Sequence, residues 1–164
     1  MALIVEDGTI VEDAESYLSV DDADAEIVKR GGSVDWDALT VLQKEVQLRI
    51  CTEYMDDEYN FSGSIVNLDQ ELCWPRSGTK YATDVIPKEV KKALAVLAYT
   101  SLNYELYSSV AGGTTAGIKS TKDVLDVLST SVSYFENGTN SQTEFAEVDA
   151  ILKSLVASRL VFRG

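Results

Sequence analysis

Residues 87–109 read PKEVKKALAVLAYTSLNYELYSS, and this stretch decides the fold class. Pro87 suits the first turn of a helix, where a missing N–H costs nothing. Behind it Val90, Ala93, Leu94, Leu97, Ser101 and Tyr104 recur at three- and four-residue steps and make a broad buried stripe. Such a stripe needs other helices to cover it. The sequence therefore predicts a mainly α fold: a small bundle of about four helices, with a β-hairpin insertion and an extended N-terminal arm.

Two more helices lie upstream. SVDDADAEIVKRGG, residues 19–32, has Ser19 as N-cap and Asp22 at the third helical position, acids at the positive end of the dipole, and Lys29 and Arg30 at the negative end. Gly31 and Gly32 stop it. TVLQKEVQLRICTEYMDDEY, residues 40–59, is capped by Thr40 with Gln43 three residues on. Leu39, Leu42, Val46, Ile50 and Tyr54 recur there as one expected core face. Before both, ALIVEDGTIVEDAESYL, residues 2–18, alternates short apolar pieces with acids and reads as an irregular, extended arm.

Between the two long helices, residues 60–86 form a connection too long to be structureless in a compact domain, so it is expected to fold back or to contact a partner. It holds LCWPRSG, residues 72–78, in which the proline ring keeps Trp74 extended. An indole so placed usually pins a loop to a core. Downstream, residues 117–138 read GIKSTKDVLDVLSTSVSYFENG and alternate in their second half, which predicts a β-hairpin within an insertion spanning residues 112–142. TEFAEVDAILKSLVASRLVF, residues 143–162, is expected to be a C-terminal helix with Phe145, Val148, Leu152 and Leu155 inward. A basic and apolar tail, residues 159–164, follows.

The chain has 164 residues, 45% of them hydrophobic, enough for one domain with its own core. No apolar run approaches a membrane span, and the N-terminus turns acidic too early for a signal peptide. The expected setting is the cytoplasm, with no membrane partner. Cys51 and Cys73 lack metal or redox spacing and are expected to be buried thiols.

Charge is more informative. The net charge is −13, and residues 1–60 carry 16 acidic against 4 basic side chains, while residues 61–164 carry 11 against 10. The N-terminal third reads as an acidic surface that repels phosphate backbones.

Several motifs fail on inspection. GGTTAGIKST, residues 112–121, lacks the lysine directly after the second glycine of a phosphate-binding loop. Asp21–Glu26, DDADAE, lacks the glycine and glutamate of a calcium loop. The chain has no histidine, which removes Ser-His and Cys-His nucleophiles and most zinc ligation. No catalytic residue, metal or cofactor is expected, and the protein is not expected to be an enzyme.

The succession AESYLSVDDADAEI (14–27), KEVQLRICTEYMDDEYNFSG (44–63), QELCWPRSG (70–78), IPKEVKKALAVLAY (86–99) and SVSYFENG (131–138) resembles the small tailed-phage and prophage proteins of the DnaT-like single-stranded-DNA-binding family, over nearly the whole chain. In helical layout and size those proteins are in turn similar to head-to-tail connector adaptors. The likeness implies a virion protein of the neck, assembled in the host cytoplasm as a ring of twelve copies beneath the portal protein and facing a tail-side stopper or terminator. Carboxylates lining its channel would let double-stranded DNA pass without binding. On that expectation Leu155, Arg159, Leu160, Phe162 and Arg163 dock on the portal, with a core-facing role for Leu155 as the alternative. Trp74, Pro75 and Arg76 lie either between subunits or within one as a loop anchor. The alternative is that the family's label is right and the protein binds single-stranded DNA.

Overall fold

The computed structural model describes residues 2–104, 106–107, 118–124, 129–134 and 145–159. The chain forms two compact units, Met1–Tyr104 with Phe145–Gly164, and Glu105–Glu144.

The main unit is a helical bundle. Its elements are α1 (Val20–Lys29), the single turn α2 (Val34–Asp37), α3 (Val41–Glu58), β1 (Tyr59–Phe61), β2 (Ser64–Ile65), β3 (Arg76–Ser77) and α4 (Lys88–Thr100). In the second unit β4 (Ile118–Val124) and β5 (Ser129–Tyr134) pair antiparallel as the expected hairpin. Back in the main unit come α5 (Ala146–Leu152) and β6 (Val156–Arg159).

Helix α4 is the centre of the bundle. Residues 93–98 are buried without a break, along with Val90, and α1, α3 and α5 pack around them. A helical stretch apolar on every side, as residues 93–98 are, must be enclosed on every side. Each fully buried leucine, such as Leu94 and Leu97, contributes about 1.5–3 kcal/mol. Ser101 closes the helix by donating to the Leu97 carbonyl, and Tyr104, expected in the stripe, is exposed.

The caps fall where the sequence places them. The Ser19 hydroxyl accepts from the Asp22 N–H, and Thr40 and Gln43 form a reciprocal capping box. The burial of α3 does not follow its apolar periodicity. Leu48, Cys51, Tyr54 and Met55 face the core together with Lys44, Thr52 and Glu58, whereas Leu42, Val46 and Ile50 face outward. The reason lies in the partners on the inner side. Lys44 donates to Asp24 of α1 at 2.8 Å while its ammonium sits 5.3 Å above the Trp36 ring, and Trp36 Nε1 donates to the same carboxylate oxygen at 2.6 Å. Thr52 donates to the Leu48 carbonyl. These polar groups are buried because they are paired.

The N-terminal arm is irregular but tightly tied. Val5 and Ser16 form a parallel bridge, and Glu15 N–H donates to the Ile4 carbonyl. Glu6 is buried, and its carboxylate accepts from the N–H groups of Gly8 (2.7 Å), Ile10 (3.1 Å) and Val11 (2.9 Å). Gly8 has φ +111°, and a Cβ there would lie 2.1 Å from the Asp84 carbonyl oxygen, so only glycine fits.

The C-terminal helix is shorter than expected. It ends at Leu152, and residues 156–159 instead pair antiparallel with β1, setting Tyr59 opposite Arg159. Phe145, Val148, Leu152 and Leu155 are all buried as expected. Among the described residues, no helix is long and apolar enough to cross a membrane.

Candidate nucleic-acid interface

Two features of the main unit concentrate polar chemistry. One is the connection around Trp74, and the other is a lysine-lined groove between α1 and α4.

The connection folds back on itself, and Arg76 holds it. Its guanidinium donates to four carbonyls: Ser62 (2.8 Å), Gly63 (2.8 Å), Cys73 (3.1 Å) and Phe61 (3.1 Å). Trp74 is fully buried, edge-on to Phe61 and Tyr81, with a cis peptide to Pro75. Its backbone N–H donates to the Tyr17 hydroxyl, which itself donates to Asp56 at 2.7 Å. Asp56 also accepts from the Cys73 N–H at 2.8 Å. One carboxylate on α3 thus ties the arm and the connection to the bundle. Burial, reinforced by the neighbouring Asp57, pushes the Asp56 carboxyl up to about 6 against the pull of those hydrogen bonds. Burial likewise raises the thiols, Cys51 to about 12 and Cys73 to about 11, so neither is a nucleophile near neutrality. Within the chain, Trp74 is buried and Arg76 ties the connection together through four carbonyls.

The portal-docking residues fare differently. Leu155 is buried, and its carbonyl accepts from the Ser62 N–H, so its side chain belongs to the core and not to a docking surface. Arg159 lies in β6. Leu160, Phe162 and Arg163 lie outside the described residues, as does most of the glycine-rich segment at 112–121.

The groove is lined by Leu18, Asp22, Ala25, Glu26 and Lys29 from the α1 side and by Lys88, Lys91 and Lys92 from α4, with a volume of about 170 Å³. Lys29 reaches Glu26 at 2.5 Å. Lys91 and Lys92 are half-buried along their stems, and Lys88 is exposed. The three α4 lysines sit in the first five residues of their helix, and the last turn has no basic residue. That is the reverse of what the helix dipole favours. Glu89, the one acid in this turn, accepts from the Tyr81 hydroxyl at 2.7 Å. The result is a concentrated positive site on a chain of net charge −13.

These lysines were legible in the sequence only as polar positions of a helix. Their meeting with Lys29 requires the packing of α1 on α4. Of the acidic N-terminal third, Asp7, Glu12, Asp13, Asp21, Asp22, Asp35, Asp37, Glu53 and Asp57 stay exposed, and only part of its charge is consumed inside the fold. Glu6, Glu15, Asp24 and Asp56 are taken up by backbone N–H groups, Tyr17, Trp36, Lys44 and Arg49 inside the fold. Among the described residues no group of three or more cysteine, aspartate and glutamate side chains gathers to hold a metal ion.

A family described as "Putative DnaT-like ssDNA binding protein" matches residues 1–163. No curated protein and no solved structure matches the chain. The match overturns the head-to-tail connector reading, because the family is described by single-stranded DNA. The charge argument behind that reading weakens because the groove between α1 and α4 gathers four lysines in one place on an acidic chain. The chain belongs to this DnaT-like family.

Proposed function

From that membership we propose that the protein binds single-stranded DNA, with the phosphate backbone lying along the groove of Lys29, Lys88, Lys91 and Lys92. The observation that carries the reading is the reversed charge of α4. Lysines in the first turn of a helix work against stability, by about 0.3–1 kcal/mol each at low salt, an effect that fades by the fifth residue, Lys92. An anion in the groove turns that cost into attraction from both the lysines and the dipole. Tyr81, tied to the first turn of α4 through Glu89 and with Lys80 5.1 Å from its ring centroid, places an aromatic ring beside the same helix end. Single-strand binders combine such a cationic track with rings on which bases stack.

The acidic remainder confines DNA to this groove and makes the interaction steeply salt-dependent. Four phosphate contacts on a single strand give a slope of log K against log salt of about −3. The test is fluorescence anisotropy of a labelled oligothymidylate over a salt series. Replacing Lys88, Lys91 and Lys92 with Gln should cut the slope to about −1 and abolish binding near physiological salt. Unchanged affinity and slope in this variant would exclude the groove as the binding site.

A further inference from the structure

Among the described residues, the outward face of α3 sets exposed aliphatic side chains in line. Leu42 is 61% exposed, Val46 44% and Ile50 40%. At four-residue steps they form one continuous stripe, which lies opposite the buried face of Leu48, Cys51 and Met55. The other exposed aliphatic residues of the main unit are mostly scattered singly over α1, α2 and the connection, as on any protein surface.

We propose that this stripe is a self-association surface: two copies of the chain pack their α3 helices antiparallel about a two-fold axis through Val46. The argument is self-complementarity. Leu42 precedes Val46 by four residues and Ile50 follows it by four. A two-fold axis at Val46 therefore sets Leu42 against the partner's Ile50 twice and Val46 against the partner's Val46, leaving only Val41, at the exposed start of α3, outside the pairing. The contact is isologous and closes at two copies.

Charge on the flank selects the same arrangement. By helix geometry Glu45 and Arg49 lie on one side of the stripe and Gln43 and Gln47 on the other. The antiparallel two-fold turns the charged flank onto itself and reverses its direction, which brings Arg49 within a turn of the partner's Glu45, twice per dimer. A parallel pair would set the charged flank against the glutamines and form neither ion pair. Arg49 already holds Glu15 at 2.9 Å with a quarter of its side chain exposed, so the partner's Glu45 would share a guanidinium that the arm keeps in place. Glu53 and Asp57, farther along the same side of the helix, end the apolar stripe about one turn beyond Ile50. The patch is small beside the roughly 800 Å² per partner of a standard interface, so the dimer is weak and concentration-dependent.

Sedimentation equilibrium of the whole chain from micromolar to millimolar concentration, in moderate salt to screen the net charge, tests the proposal. The mean mass should rise from 17.9 kDa towards twice that value. Val46→Glu, which sets two carboxylates together on the axis, should leave a monomer throughout. Glu45→Arg should weaken the dimer about tenfold, and adding Arg49→Glu should restore it. Val46→Glu and Glu45→Arg should keep the parent's circular dichroism and melting temperature, because both residues lie outside the core. Arg49→Glu also removes the Glu15 pair and should lower the melting temperature without changing the circular dichroism. A parent that stays monomeric, or a dimer indifferent to Val46→Glu, would overturn the proposal.

Discussion

Asp56 makes the stability of this protein depend on pH in a direction opposite to that of most carboxylates. Its carboxyl is pushed from 3.8 up to about 6, first by burial and then by the charge of Asp57. The folded chain holds this proton more tightly than the unfolded chain does. Stability from this group is therefore greatest below 3.8 and is lost as pH rises through about 6. The interval corresponds to at most about 3 kcal/mol. Asp56→Asn removes the titration and keeps an oxygen to accept from Tyr17 and from the Cys73 N–H. Urea unfolding of both proteins between about pH 4 and pH 7 isolates the effect, because every other titrating group cancels in the difference. The variant should gain about 2–3 kcal/mol on the parent across that range, whatever constant offset the lost charge brings. Parallel stability profiles would refute the reasoning and show that water reaches the carboxylate freely.

Three further outcomes follow from the packing. Arg76→Ala leaves four carbonyls without their donor and should cost about 2–4 kcal/mol in urea unfolding, with Arg76→Lys intermediate because an ammonium cannot span them all. Gly8→Ala should destabilise by more than about 2 kcal/mol, since its Cβ would meet the Asp84 carbonyl oxygen at 2.1 Å and its φ is +111°. The sign is checked by the same unfolding curves. Leu94→Ala, in the fully enclosed part of α4, should lose about 2–5 kcal/mol and lower the calorimetric melting temperature accordingly.

The helix starts, the hairpin and the buried stripe of α4 were legible because they depend on neighbours in sequence. Ser19 and Thr40 cap helices through contacts three residues away. The inner face of α3 was not legible. Its apolar residues occupy two sides, and the choice between them is made by Asp24 and Trp36, which lie on other elements. β6 was missed for a similar reason: Phe145, Val148, Leu152 and Leu155 keep helical spacing, and the strand that follows exists only because β1 offers it an edge. The candidate site was half visible. Trp74 and Arg76 stood out by residue type, but their acceptors and ring partners are spread from Tyr17 to Tyr81. The α4 lysines became a site only once Lys29 was brought beside them.

The pairing of β1 with β6 also has a cost in time. Phe61 emerges from the ribosome long before Val156, its partner in the ladder. At about 5–20 residues per second, the roughly 95 intervening residues take about 5–20 s to make. Throughout that interval β1 has an unsatisfied edge, and the side of α4 that α5 will cover remains open. The growing chain is thus most vulnerable to strand-to-strand association with its neighbours on a polysome, and the short length of β1, three residues, limits that exposure.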